Sequence, residues 1–170
     1  MKKLFKVALV ALSMIMVGNF AKAQSKVGYI NFQALLTQMP EYKTVKSQLD
    51  IYSKQFTDEL TAMQNELQSK GKEYQAQSAT MTDAVRTAKQ TELQDMQNRL
   101  QSYNTTAQQK FDEKTNELSK PMVDKARTAI SDVAKEKGYN YVLDSGSTQL
   151  LVSPDGDDLL PAVKVKLGLK

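Results

Sequence analysis

The chain has 170 residues, with 23 Lys and Arg against 19 Asp and Glu and with neither cysteine nor histidine. Disulfide frameworks, thiol nucleophiles, Cys/His zinc centres and the usual general base near neutral pH are therefore excluded. The basic excess sits at the start, in Lys2, Lys3, Lys6 and Lys22; 23 less these four leaves 19 basic residues against 19 acidic ones, and a nucleic-acid-binding reading loses its electrostatic footprint.

Residues 1–23 read as an export signal: a basic beginning, the apolar run Val7 to Val17, and Ala21-Lys22-Ala23 as a small-x-small cleavage pattern, with the cut expected after Ala23. The run falls short of the ~18 residues that span a bilayer. No cysteine adjoins the cut to carry a lipid, so a soluble periplasmic protein is expected. Lys26 to Asn31 then reads as a strand, and Phe32 to Met39 as a short helix capped by Asn31 and stopped by Pro40.

From Glu41 to Lys137 the composition favours helix, interrupted only by Gly71 and Pro121. Apolar residues recur at Tyr42, Val45, Leu49, Tyr52, Phe56, Leu60, Met63, Leu67 and Tyr74, mostly three and four apart, as a coiled-coil seam requires. A second seam runs through Val85, Ala88, Leu93, Met96, Leu100, Tyr103, Ala107, Phe111 and Leu118. The two are mirror images. Antiparallel helices joined by a tight loop pair residues whose numbers have a constant sum: Tyr42 with Leu118, Leu49 with Phe111, Leu60 with Leu100 and Leu67 with Leu93 give 160, whereas Tyr52 with Ala107, Phe56 with Tyr103, Met63 with Met96 and Tyr74 with Val85 give 159. Gly71 falls opposite Ala88, small against small.

Both seams also break heptad spacing at the same height, with 3-4-4 steps from Leu49 to Leu60 and from Leu100 to Phe111, which keeps the rods in register. The mirror centre lies in the run Ser78 to Thr82, expected to form the tip, with Thr82 capping the second helix and Asp83 in its first turn. At 1.5 Å per residue the first arm should project about 50–55 Å. One continuous helix would leave the mirrored pairs unexplained.

Past Pro121, where a kink is expected, Met122, Ala126, Ile130 and Val133 continue the stripe and should cover a sheet instead of the opposite arm. Gly138 ends the helix. Tyr139 to Asp144 and Thr148 to Ser153 read as a hairpin around Ser145-Gly146-Ser147. Asp155-Gly156-Asp157-Asp158 should cap a last helix with Leu160, Val163 and Leu167 on one face. The fold class is α+β: a coiled-coil hairpin (41–118, tip near 78–82) on a small strand base (24–40 and 119–170). So small a base has a marginal core and open strand edges, which self-association would cover.

Chemistry has little foothold. No G-x-x-x-x-G-K-[ST] run exists, and Ser69-Lys70-Gly71-Lys72 lies inside an arm. Asp155, Asp157 and Asp158 lack EF-hand spacing, and Asp144 and Ser145 have no histidine partner. No enzyme, cofactor or metal site is expected. Ile51 and Met81 lie off the seam and are candidates for touching a client, although isolated apolar residues are ordinary on surfaces.

The runs KVGYINFQALLTQMPEY and AISDVAKEKGYNYVLD, set around a long hairpin, resemble the Skp (OmpH) family of periplasmic chaperones across essentially the whole exported chain. The resemblance implies a homotrimer whose strands build a central body and whose three arms enclose a cavity for unfolded outer-membrane proteins, holding them without ATP. The sequence departs from the family at the arm tip. Between Lys70 and Arg99, Lys70, Lys72, Arg86, Lys89 and Arg99 face Glu73, Asp83, Glu92 and Asp95, five against four, where the family often has strongly basic tips. That balance puts electrostatic capture of clients or of membrane lipid in doubt here. The alternative is a non-catalytic structural or adaptor coiled-coil protein of the cell envelope.

Overall fold

A computed structural model describes residues 25–169; the expected export signal lies outside the described residues. Strand β1 (Val27–Ile30) leads into helix α1 (Phe32–Gln38), where the Asn31 side chain accepts from the Ala34 N–H at 2.8 Å. Met39 is the only residue between α1 and helix α2 (Pro40–Gln77), so Pro40 both ends one helix and opens the next, where its missing N–H costs nothing. After the tip comes helix α3 (Asp83–Glu136), then strand β2 (Tyr141–Asp144), a 3₁₀ turn (Asp155–Asp157) and helix α4 (Leu160–Lys166).

α2 has 38 residues, so it is about 57 Å long. α3 has 54 and runs unbroken through Pro121, past the end of its partner. Past Ala107, which is buried by itself within the arm, its buried face runs from Met122 through Ala126, Ala129, Val133 and Ala134. These residues pack with Ile30, Leu35, Leu36, Met39, Tyr139, Leu159 and Val163 into one core cluster at the root of the hairpin. The handover expected beyond Pro121 is thus present as a change of packing partner within a continuous helix.

β1 and β2 pair in parallel, with Val27 opposite Tyr141 and Ile30 opposite Asp144. A parallel pair needs a crossover, and here the crossover is the entire hairpin. Because side chains alternate, Gly28, Ile30, Val142 and Asp144 share the face toward α3, while Val27, Tyr29, Tyr141 and Leu143 share the outer face. The chain returns along the other edge of β1, where Leu159 N–H donates to Tyr29 O at 2.9 Å, delivering the fully buried Leu159 and Val163 to the core. The N-cap position of α4 is Leu159, which offers no side-chain cap, so the expected capping by the aspartate run is reduced to Asp158 Oδ1 accepting from the Leu160 N–H.

The expected hairpin of Tyr139–Asp144 with Thr148–Ser153 does not form. The Ser147 and Thr148 N–H groups both return to Asp144 O, closing a helical-type turn, and the Asp144 carboxylate accepts from Gly146 and Phe32 N–H. The following segment is left without a strand partner among the described residues, and Leu151 and Val152 stand 89% and 85% exposed.

Candidate functional site: the helical hairpin and its tip

Two helices packed only on each other cannot bury a seam on all sides. Leu49, Tyr52, Phe56, Leu60, Met63 and Leu67 of α2 and Leu93, Met96, Leu100, Tyr103 and Phe111 of α3 are accordingly half-buried, and only the small Ala107 is buried, at 6% exposure. The middle is held by aromatic contacts: Phe56 meets Tyr52 edge-on at 4.9 Å between ring centres and Tyr103 across the seam at 6.2 Å. Contacts of this kind contribute about 0.5–1.5 kcal/mol beyond their area. Near the tip Lys70 reaches Glu92 across the pair at 2.7 Å, and Glu92 also receives Lys89 at 3.0 Å. At the root Lys125 donates to Glu41, again across the two helices.

These contacts shift the groups involved. Hydrogen bonds from Lys70 and then Lys89 hold the Glu92 carboxyl below its ordinary value, and the bond to Glu92 raises Lys70. The Lys125 bond lowers Glu41. In the base, burial pushes Asp144 upward, but the backbone N–H groups of Gly146 and Phe32 outweigh it and the net shift is down.

The tip departs from the seam pattern. Val85 is 46% exposed and Ala88 is exposed, so the Tyr74–Val85 and Gly71–Ala88 layers do not close. A Cβ on Gly71 would meet nothing within 4 Å. Tyr74 instead shares a small recess with Met81 and Leu93, beneath Lys70 and Lys89. Thr82 caps α3 as the sequence predicts, its Oγ1 accepting from Val85 N–H. Arg86, which the apolar spacing passes over, fastens the turn: Nε donates to Ser78 O at 3.3 Å, Nη2 to Met81 O at 3.2 Å and Nη1 to Asp83 at 3.2 Å. A guanidinium one turn past an N-cap, facing the carbonyl end of the preceding helix, is the signal that could have found it.

With Lys70 and Lys89 sharing Glu92 and Arg86 on Asp83, three of the five tip cations are engaged in ion pairs. Of the two candidate client residues, Ile51 is 62% exposed and Met81 is half-buried in the recess. Among the described residues there is no cluster of three or more His, Cys, Asp or Glu able to hold a metal ion, and no helix is long and apolar enough to cross a membrane.

A helix pair projecting from a small α/β root, rich in contact surface, defines a scaffold of the hairpin-arm class. The family model described as OmpH, outer membrane protein (OmpH-like), matches residues 26–167. The chain belongs to the OmpH-like family. Chaperone protein Skp of Yersinia enterocolitica is 27% identical over 146 residues, covering 82% of this chain and 87% of that one. Chaperone protein Skp of Vibrio cholerae serotype O1 is 25% identical over 152 residues, covering 88% and 90%. A solved structure from Caulobacter crescentus CB15, described as a putative outer membrane chaperone (OmpH-like), superposes with a TM-score of 0.63 at 18% identity over 86% of each chain, a likeness of fold.

Proposed function

We propose that this chain is an ATP-independent holdase of the periplasm that binds unfolded outer-membrane proteins between helical arms and keeps them from aggregating. Copies associate through the base, residues 24–40 and 119–170, as a homotrimer, and residues 41–118 form the arm. The observation that carries the reading is the long two-helix arm standing clear of a base whose outer sheet face, Val27, Tyr141 and Leu143, is 42%, 62% and 42% exposed. Family membership and the chaperone relatives support it. An apolar face of this kind on so small a root fits association of copies, and arms held around a common centre bind through many weak contacts at high effective concentration. Nothing in this scheme requires catalysis, a cofactor or a nucleic acid.

The exported chain, mixed at stoichiometric excess with several unrelated urea-denatured β-barrel proteins and no nucleotide, is expected to suppress their light scattering on dilution. Its mass in solution is expected to be three times the monomer's. Unchanged scattering would end the holdase reading; an adaptor would ignore these proteins and retain one partner.

A further inference from the structure

Midway along the hairpin, one flank of the helix pair carries a groove of 260 Å³ lined by Leu60, Gln64, Gln97, Leu100, Gln101 and Asn104. The α3 residues are spaced i, i+3, i+4, i+7 and the α2 pair i, i+4, so each helix turns one face to the channel. Its floor is the half-buried Leu60 and Leu100; its walls are four exposed carboxamides. Elsewhere on α3, Gln94 donates to Asn98 and Gln108 to Asp112. The four groove amides have no such side-chain partner among the described residues. The other flank differs in kind, since Glu66, Lys70, Glu92, Asp95 and Arg99 line it. From Leu100 to Gln109 α3 carries no charged residue at all.

An ionic ligand laid in this groove would lose water and meet no countercharge. A neutral chain of alternating N–H and C=O groups meets its complement, because a carboxamide offers two N–H donors to the backbone C=O groups and an oxygen that accepts from the backbone N–H groups. Strands of membrane barrels alternate apolar and polar side chains, so an extended segment facing the amides would also set apolar groups over the leucine floor. We propose that this amide-walled groove docks the extended backbone of an unfolded polypeptide. The inference rests on the holdase reading and gives that reading a contact site. Gln97 to Asn104 spans about 10 Å, room for about three extended residues. Each engagement is therefore short and weak, as release without ATP demands.

The test is made on the exported chain with a urea-unfolded outer-membrane β-barrel protein. A benzophenone amino acid is placed at Gln101 in one version and, in another, at Thr106, which lies seven residues from Arg99 and so on the face of α3 turned away from the groove. Photocrosslinking to the barrel is expected to be at least about fivefold stronger from position 101. In parallel, Q97E/Q101E keeps size and helix propensity but removes donors, and should weaken binding about five- to tenfold. That loss should persist from about 0.1 M to about 1 M salt, where the Debye length shrinks from ~10 to ~3 Å. Equal crosslinking from both positions, or an E/E effect that high salt abolishes, overturns the groove while leaving a chain that still holds the barrel. A wild-type chain that does not hold the barrel overturns both readings.

Discussion

Two glycines near helix backbone make opposite demands. Gly138 follows α3 with φ +73°, and behind it Tyr139 N–H returns to Ala134 O at 2.8 Å and Gly138 N–H to Lys135 O at 3.2 Å. This is a Schellman closure, which a residue with a Cβ enters at a cost of about 1–2 kcal/mol. Gly71 lies inside α2 with open space where its Cβ would be. There the glycine only adds unfolded-state freedom, and alanine should recover about 0.5–1 kcal/mol. Urea unfolding is expected to show Gly138→Ala destabilised and Gly71→Ala stabilised. A stabilising Gly138→Ala would mean that the closure bears no strain, and a destabilising Gly71→Ala would mean that a neighbouring atom comes closer to the new Cβ than the 4 Å left open here. The sequence pattern had given Gly71 a packing role by its place in the mirror; what decides the matter is the separation of the helices, which numbering does not contain.

Among the elements, the arm is held by a seam that salt and pH barely touch and by cross-helix ion pairs that they do. Glu92 is held below its ordinary value by Lys70 and Lys89, so its contribution is present above the unfolded carboxylate value, ~4.3, and fades as pH falls through the lower folded one. Lys70 is held above its ordinary value, so its share is complete below the unfolded lysine value, ~10.4, and fades only as pH rises past the folded one. The tip should therefore be tightest across the broad middle of the pH range. Spin labels at Gln68 and Gln94 are expected to give a narrow distance distribution at pH 7 that broadens below about pH 4, while Glu92→Gln is already broad at pH 7. A wild-type distribution unchanged at pH 3 would show that the pairs hold nothing. The arm was the most legible element because antiparallel pairing writes itself twice, once in each helix, and Phe56 with Tyr103 could be read from the mirror alone. The closing turn was less so: Val85 has the right spacing for the seam, but Arg86 ties the Ser78 carbonyl at the α2 end to the Met81 carbonyl of the tip and leaves Val85 outside. Nor could four-residue strands declare their direction, so the parallel pairing of β1 and β2 appears only in the fold.

For the whole molecule, the segment after β2 poses the sharpest question. Its apolar pair reads as strand in the sequence, yet Leu151 and Val152 are 89% and 85% exposed. Local pattern cannot distinguish a strand that pairs within its own chain from one completed by another copy, and here the chain's own turn at Asp144 turns away from the first option. If the base associates as proposed, this segment and the outer sheet face are what association covers. Replacing Leu151 and Val152 together by Asp removes almost no buried surface from a single chain, so its own stability should change by less than about 0.5 kcal/mol. The assembly is different: charges placed in an apolar contact between copies lose water without a partner. The double variant is expected to keep its helical circular dichroism, fall to monomer mass, and lose most of its protection of denatured β-barrel proteins, because separate arms no longer share one enclosed volume. A variant that stays assembled would remove this segment from the interface. A monomeric variant that protects as well as the wild type would instead show that one arm suffices, and the enclosed cavity would no longer be needed to explain holding.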